Sequence, residues 1–389
     1  MKINISLTII CLFLLFSILP GVTLAYATPE SIVAAGKVYI SNAVYDPEAF
    51  FTGDTGTVTI YVTNGNSNQS IVVNHATIGD KNIRLISNPY DTSANIGPLQ
   101  TQTFIFSVAT DALEGTYYPT FSLSFRDADS LYYRAMAKVD NTPLELTIIN
   151  QPDAFTQGAK KTIYMQVANP RNNNVRNVAL EVNGDGITAA PETTFIGDLA
   201  AGIKVPVNFT ITPEKETTVL LTLTYDNGDN PHDVTMEIPV TFGVDKKQAN
   251  PVMSNVQIKT DTGIYHVTGD VNNAGLETAN TVMVTSLAPA VPQDPYKIYV
   301  VGALKPDDFG SFEVTFTADP GTTSVPIQLS FKDTDGNIYN TVSDVKISSS
   351  GLSTAETNSS SNMLPVAAAI VIVLIFVGGW VYYLRRNKK

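Results

Sequence analysis

Cysteine is almost missing from this chain. The single one, Cys11, sits inside an apolar run near the start. Disulfides, thiolate zinc sites and a cysteine nucleophile are therefore excluded from everything after that run. Charge is scarce as well: Asp, Glu, Lys and Arg make up 15% of the residues, against roughly a quarter in an ordinary globular protein. There are three histidines, His75, His232 and His266. None has a partner at i+4, and they read as surface histidines rather than metal ligands or triad members. The chain also lacks a Gly-x-Ser-x-Gly elbow, a phosphate loop and a dinucleotide fingerprint. No reaction is legible and no cofactor is called for. What is abundant instead is Asn, Thr, Val, Ile and Tyr, a bias that suits strands and turns and serves surface helices poorly.

The 389 residues are too many for one β domain and suit two to four. Both ends are apolar. Lys2 precedes "TIICLFLLFSIL" (8–19), which Pro20 and Gly21 break. Ala25-Tyr26-Ala27 then offers a small-x-small cleavage site, so 1–27 reads as an export signal. The alternative is an uncleaved anchor. Cys11 follows Ile10 and precedes further apolar residues, a context that disfavours lipidation. At the other end, "VAAAIVIVLIFVGGWVYYL" (366–384) holds nineteen residues without a charge. At about 1.5 Å per residue it would just cover a hydrocarbon core of about 30 Å. The expectation is a transmembrane helix over 364–384. Trp380, Tyr382 and Tyr383 would anchor it at the interface, and Arg385, Arg386, Lys388 and Lys389 (tail 385–389) would lie in the cytoplasm. Everything between would be extracellular.

Net charge follows this layout. Removing Lys2 and the four terminal bases from 24 basic residues leaves 19, against 36 acidic ones. Such a surface repels nucleic acid, whose binding needs cationic patches, and it keeps neighbouring copies apart.

The expected exterior is one unit written three times. Three phrases recur in order. The first is a strand ending at asparagine: "TVTIYVTN" to Asn64, "TIYMQVAN" to Asn169, "YHVTGDVN" to Asn272. The second is apolar-Gly-x-Leu, ending at Leu99, Leu199 and Leu304, in which leucine is expected to plug the core. The third is an apolar strand closing on an acidic turn: "LSFRDAD", "LTLTYDNGD", "LSFKDTDG", from Leu123, Leu221 and Leu329. Period-two alternation, as in Val58, Ile60 and Val62 against Thr57, Thr59 and Tyr61, puts one face in a core and one in water. Short strands separated by Gly, Asn and Asp predict an all-β fold of three tandem immunoglobulin-like sandwiches at 32–147, 148–245 and 252–348. A Ser/Thr-rich stalk at 349–363 would join them to the transmembrane helix. No helix is expected outside the two apolar ends. The joints near 150–152 and 245–251 are short, which predicts a semi-rigid rod.

"FKDTDGNIY" (331–339) invites a calcium reading through Asp333, Asp335 and Asn337. The pattern fails in detail: glycine stands fourth rather than sixth, and no glutamate occupies the twelfth place. Asp-Gly between two strands is a hairpin signal on its own, so a plain turn is the leading reading and a weak calcium site the alternative. Sequons at Asn68, Asn208 and Asn358 are glycosylation candidates.

The stretch "AVYDPEAFFTGDTGTVTIYVTNGNSNQSIVVNHATI" (43–78), with Gly-Asp before the strand and an Asn-Gly turn after it, resembles the opening of CARDB-like adhesion-related domains. "IGDLAAGIKVPVNFTITP" (196–213) looks like the same unit in archaeal S-layer-related surface proteins. The resemblance covers nearly all of 37–347 and is most distant in the third copy, where Gly269 replaces the apolar residue of the other two. It implies an immunoglobulin-like sandwich and an envelope location, and it brings no catalytic residues. The leading functional expectation is a non-enzymatic, membrane-anchored surface protein with a structural, adhesive or protein-binding role, bound to lipid through one helix and to a protein or glycan of the envelope. The alternative is an extracytoplasmic accessory subunit of a transport complex such as an exporter. A carbohydrate-binding protein would want exposed aromatic platforms, which the 17 tyrosines allow.

Overall fold

The computed structural model describes residues 29–347. Each copy is built from eight strands in two four-stranded antiparallel sheets, with the same order in all three: first, second, sixth, fourth in one sheet and fifth, third, seventh, eighth in the other. In the second copy the sheets are Glu145–Asn150, Lys161–Ala168, Lys204–Pro213, Ile187–Ala190 and Thr193–Leu199, Val175–Asn183, Thr217–Asn227, Asn230–Val240. The arrangement is consistent with immunoglobulin-like domains. The first copy carries a further small sheet, Ala49–Phe50, Ala137–Val139 and Gly115–Tyr117. Inward residues follow the period-two pattern: Val58, Ile60 and Val62 are buried in the first copy, Ile163, Met165 and Val167 in the second. Gly269 in the third copy is compensated from the neighbouring strand, because a Cβ there would sit 2.8 Å from the ring of buried Phe312.

The chain forms two compact units. Among the described residues, one holds 29–151 together with Lys161–Phe242, and the other holds Pro152–Lys160 with 243–347.

Three corrections follow. The expected transmembrane helix is the first. The one α-helix described, Pro29–Ala35, has seven residues, about 10 Å of rise against about 30 Å of hydrocarbon. No helix among the described residues is long and apolar enough to cross a membrane. The segment 364–384 lies outside the described residues, as do 1–27, the stalk and the basic tail. That short helix is itself a departure from the expectation of none outside the apolar ends. The other two corrections concern register. The strand-end asparagine of the third copy is Asn273, 1% exposed, while Asn272 points to solvent. In the first copy Leu99 is 69% exposed, and Ile96 fills the core place that Leu199 and Leu304 fill elsewhere.

These asparagines are the recurrent polar device of the fold. Asn169 Nδ2 donates to the carbonyls of Asn173 (3.0 Å) and Leu199 (3.0 Å), and its Oδ1 accepts from Arg171 N (3.0 Å). Asn273 repeats this with Glu277, Leu304 and Gly275. Asn64 repeats it with Gln69, Ile96 and Asn66. Each side chain fastens a strand end of one sheet to the fifth strand of the other. Asn169→Ala should cost about 2–4 kcal/mol in denaturant unfolding, since buried carbonyls and an amide lose their partners together. Leu99→Ala should change stability by less than about 0.5 kcal/mol. Equal effects from the two variants would refute the assignment.

Candidate functional site

Two residues beyond each bridging asparagine stands the position whose amide it holds: Asn66, Arg171 and Gly275. In the first copy Asn66 Nδ2 donates to the carbonyl of Ala34 (2.8 Å), tying down the C-terminal end of the short helix. In the third copy a Cβ on Gly275 would lie 2.4 Å from Asn250 N and 2.3 Å from the Gln248 carbonyl. Only glycine lets that segment pass so closely.

The second copy uses the position most heavily. Arg171 is 1% exposed. Its guanidinium donates to the carbonyls of Asp140 (2.6 Å), Thr142 (2.8 Å) and Ala49 (3.1 Å) in the first copy, and to Asn173 Oδ1 (3.1 Å). It also lies 3.9 Å above the Phe51 ring, where a cation and an aromatic face attract. Burial pulls its pKa below the ordinary arginine value, while Asp140, Tyr225 and Asp54 favour the charged form. Asp54, also buried, accepts from Asn227 Nδ2 (2.7 Å) and Phe51 N (2.8 Å) and faces His232 Nε2 at 3.0 Å. Asn227 reaches on to the Ala49 carbonyl (2.9 Å) and accepts from Asn173 (2.8 Å). His232 packs over Phe51 with ring centroids 4.1 Å apart. The result is a buried polar joint inside the first unit, and it moves His232 from the expected surface role into an interface. Its donors and acceptors satisfy one another, which is the chemistry of fastening rather than of turnover.

The acidic turn of the third copy does related work. Asp333 is buried. Its carboxylate accepts from Asn337 N (2.8 Å), Asn337 Nδ2 (2.7 Å) and the Tyr339 hydroxyl (3.2 Å). Asn337 in turn exchanges two hydrogen bonds with the backbone of Lys160, at 2.9 and 2.7 Å. Both carboxylate oxygens of Asp333 are thus engaged in closing the hairpin. Among the described residues no group of three or more His, Cys, Asp or Glu is placed to hold a metal ion. Of the sequons, Asn68 and Asn208 are exposed, and Asn358 lies outside the described residues. So do Trp380, Tyr382, Tyr383, Arg385, Arg386, Lys388 and Lys389.

The CARDB family model matches residues 141–233, the copy that contributes Arg171, Asn227 and His232. An uncharacterized protein of Methanocaldococcus jannaschii is 30% identical over 186 residues, which is 46% of this chain and 35% of that protein. This chain therefore spans about a third of the relative's length. A solved structure of red sea bream transglutaminase covers 54% of this chain and 31% of its own at 14% identity, with a TM-score of 0.23. That score is too low to carry an argument.

Arg171→Met should destabilise the first unit by about 3 kcal/mol, because the carbonyls of Asp140 and Thr142 and the Asn173 side chain lose a donor at once and Ala49 keeps only Asn227. A loss below about 0.5 kcal/mol in denaturant unfolding would remove the joint from the account. Asp140 gives a pH test. Burial alone would raise its pKa, but hydrogen bonds from Lys138 and Thr142 outweigh burial and hold it at about 2, below the ordinary 3.8. A depressed folded pKa stabilises above the unfolded value and is lost on acidification. Lys138→Met should therefore shrink the stability difference between pH 5 and pH 2. An unchanged acid profile would contradict the assignment.

Proposed function

We propose that this is a non-enzymatic protein of the cell envelope with a structural, adhesive or protein-binding role. The observation that carries the reading is the Arg171–Asp54–Asn227 joint. It spends a buried cation, a buried carboxylate and several amides on locking β domains together, an investment suited to presenting a fixed surface. The CARDB match over 141–233 fits a non-enzymatic role in adhesion. An extracytoplasmic, S-layer-related setting is part of the proposal. It is supported by the export-like run at 8–19, by the acidic surplus, and by a described region without cysteine. Asn68 and Asn208 are accessible for glycans there. The partner would be a protein or glycan of the envelope.

The location is tested by labelling. Thr235 is exposed, and a Thr235→Cys variant should react with a membrane-impermeant maleimide on intact cells. Reaction only after lysis would overturn the envelope reading. Crosslinking on the same cells should capture lattice proteins or further copies of this chain. Capture of a permease and its nucleotide-hydrolysing partner in fixed ratio would replace the structural role with a transport one.

A further inference from the structure

The third copy carries a polar trough of about 620 Å³ on its first sheet, among Pro251–Asp261, Ile264–Asn273 and Phe309–Thr317. That volume lies within the range of small-ligand sites. Two features mark it as more than a solvated sheet face. The first is an organised array of hydrogen-bonding groups. Asp270 accepts from Asn255 Nδ2 (2.8 Å) and Ser311 Oγ (2.8 Å), and Glu313 pairs with His266 Nδ1 (2.9 Å). Asn255 sits in a bulge of the edge strand with φ of 54°, a left-handed conformation that asparagine tolerates. Bulges of this kind re-aim side chains; the first strands of the other two copies are bulged as well, so what is particular here is the side chain it carries. The second feature is aromatic. Tyr296 and Tyr299 line the same trough with ring centroids 6.0 Å apart, and Tyr296 is exposed.

The array belongs to the third copy alone. Aligning the bridging asparagines Asn169 and Asn273 places Gln166 opposite Asp270. The strand registers then place Pro206 and Asn208 opposite Ser311 and Glu313. The domain fold does not require these side chains, since the second copy forms the same sheet without them.

The geometry points to a saccharide-binding site in this trough, taking a neutral oligosaccharide. Asp270, with one internal bond on each oxygen, and Glu313, with one bond to His266, keep further lone pairs that can accept sugar hydroxyls, while the Asn255 and Gln257 amides offer both donor and acceptor. The exposed Tyr296 ring supplies apolar surface for the C–H face of a pyranose, and Tyr299, partly buried against the core and tilted 53° to it, backs that ring. A purely apolar ligand would take water from the two carboxylates without offering a donor in its place. Among the described residues no group of three or more His, Cys, Asp or Glu is placed to hold a metal ion, here or elsewhere. The inference goes beyond the display role and stands on binding measurements of its own.

The test uses the full chain and a panel of neutral tetrasaccharides: β-glucan, mannan, galactan and N-acetylhexosamine types, with oligolysine as a cationic control. At least one saccharide should bind with Kd below about 1 mM, a gain of about 4 kcal/mol. Tyr296→Ala and Glu313→Gln should each weaken it at least tenfold while leaving the unfolding midpoint unchanged. If one variant fails to fold, the other carries the measurement. No binding across the panel, equal binding by both variants, or binding of oligolysine alone would overturn the assignment. Failure of surface labelling would remove the envelope reading and leave this result standing, so the two are separable.

Discussion

One side-chain amide organises each copy. A buried asparagine at the end of the second strand must place two donors and an acceptor inside a β core, where an unpaired polar group costs about 1–3 kcal/mol. The solution is the same three times. Nδ2 takes the carbonyl of the fifth strand's end and that of a residue four or five positions on, while Oδ1 takes the amide two positions on. The loop that follows is thereby fixed in space. Whatever stands at the second position after the asparagine is held at the end of the sandwich, facing the chain that arrives there.

The three copies then diverge at that single place. Asn66 clamps the short helix, Gly275 makes way for the 248–250 segment, and Arg171 reaches into the first copy. A guanidinium suits the last task because its planar fork can serve several carbonyls at once and keep its charge when buried. Phe51 is clasped between Arg171 on one contact and His232 on another. Asp140, with Asp54 further off, supplies the negative charge that the buried cation needs nearby. The joint is thus an elaboration of the repeat, built by changing one residue behind a constant bridge.

The repeat itself was legible because strand alternation and turn residues are local signals. Three copies of the same phrase order gave the all-β class and the number of units. Register was harder. In the third copy "DVNN" offers two adjacent asparagines, and only burial distinguishes Asn273 from Asn272. A one-residue slip there reverses every face. In the first copy "IGPL" mimics the Gly-x-Leu phrase, but proline follows the glycine and the chain turns outward, so Ile96 takes the core. Arg171 is visible in the sequence as a lone basic residue in "NPRNNN", two positions after a bridging asparagine. Its meaning depends on carbonyls at Ala49, Asp140 and Thr142, roughly 30 to 120 residues away. No local pattern encodes such partners.

The acidic turns illustrate how one sequence signal covers different work. Strand registers make Asn227 and Asp333 equivalent, since Leu180 pairs with Leu223 and Val284 with Leu329. Both are buried at the end of the seventh strand. Asn227 spends its amide on the neighbouring copy, and Asp333 spends its carboxylate on its own hairpin, leaving Asn337 to hold Lys160. Asp333 and Asn337, in a turn whose composition leaves a weak calcium site as the alternative reading, act as fasteners of the hairpin and of Lys160. What separates the two readings is whether the oxygens face one another across an open space or are each already claimed by a donor. The oxygens of Asp333 are claimed in this way, and they close its hairpin.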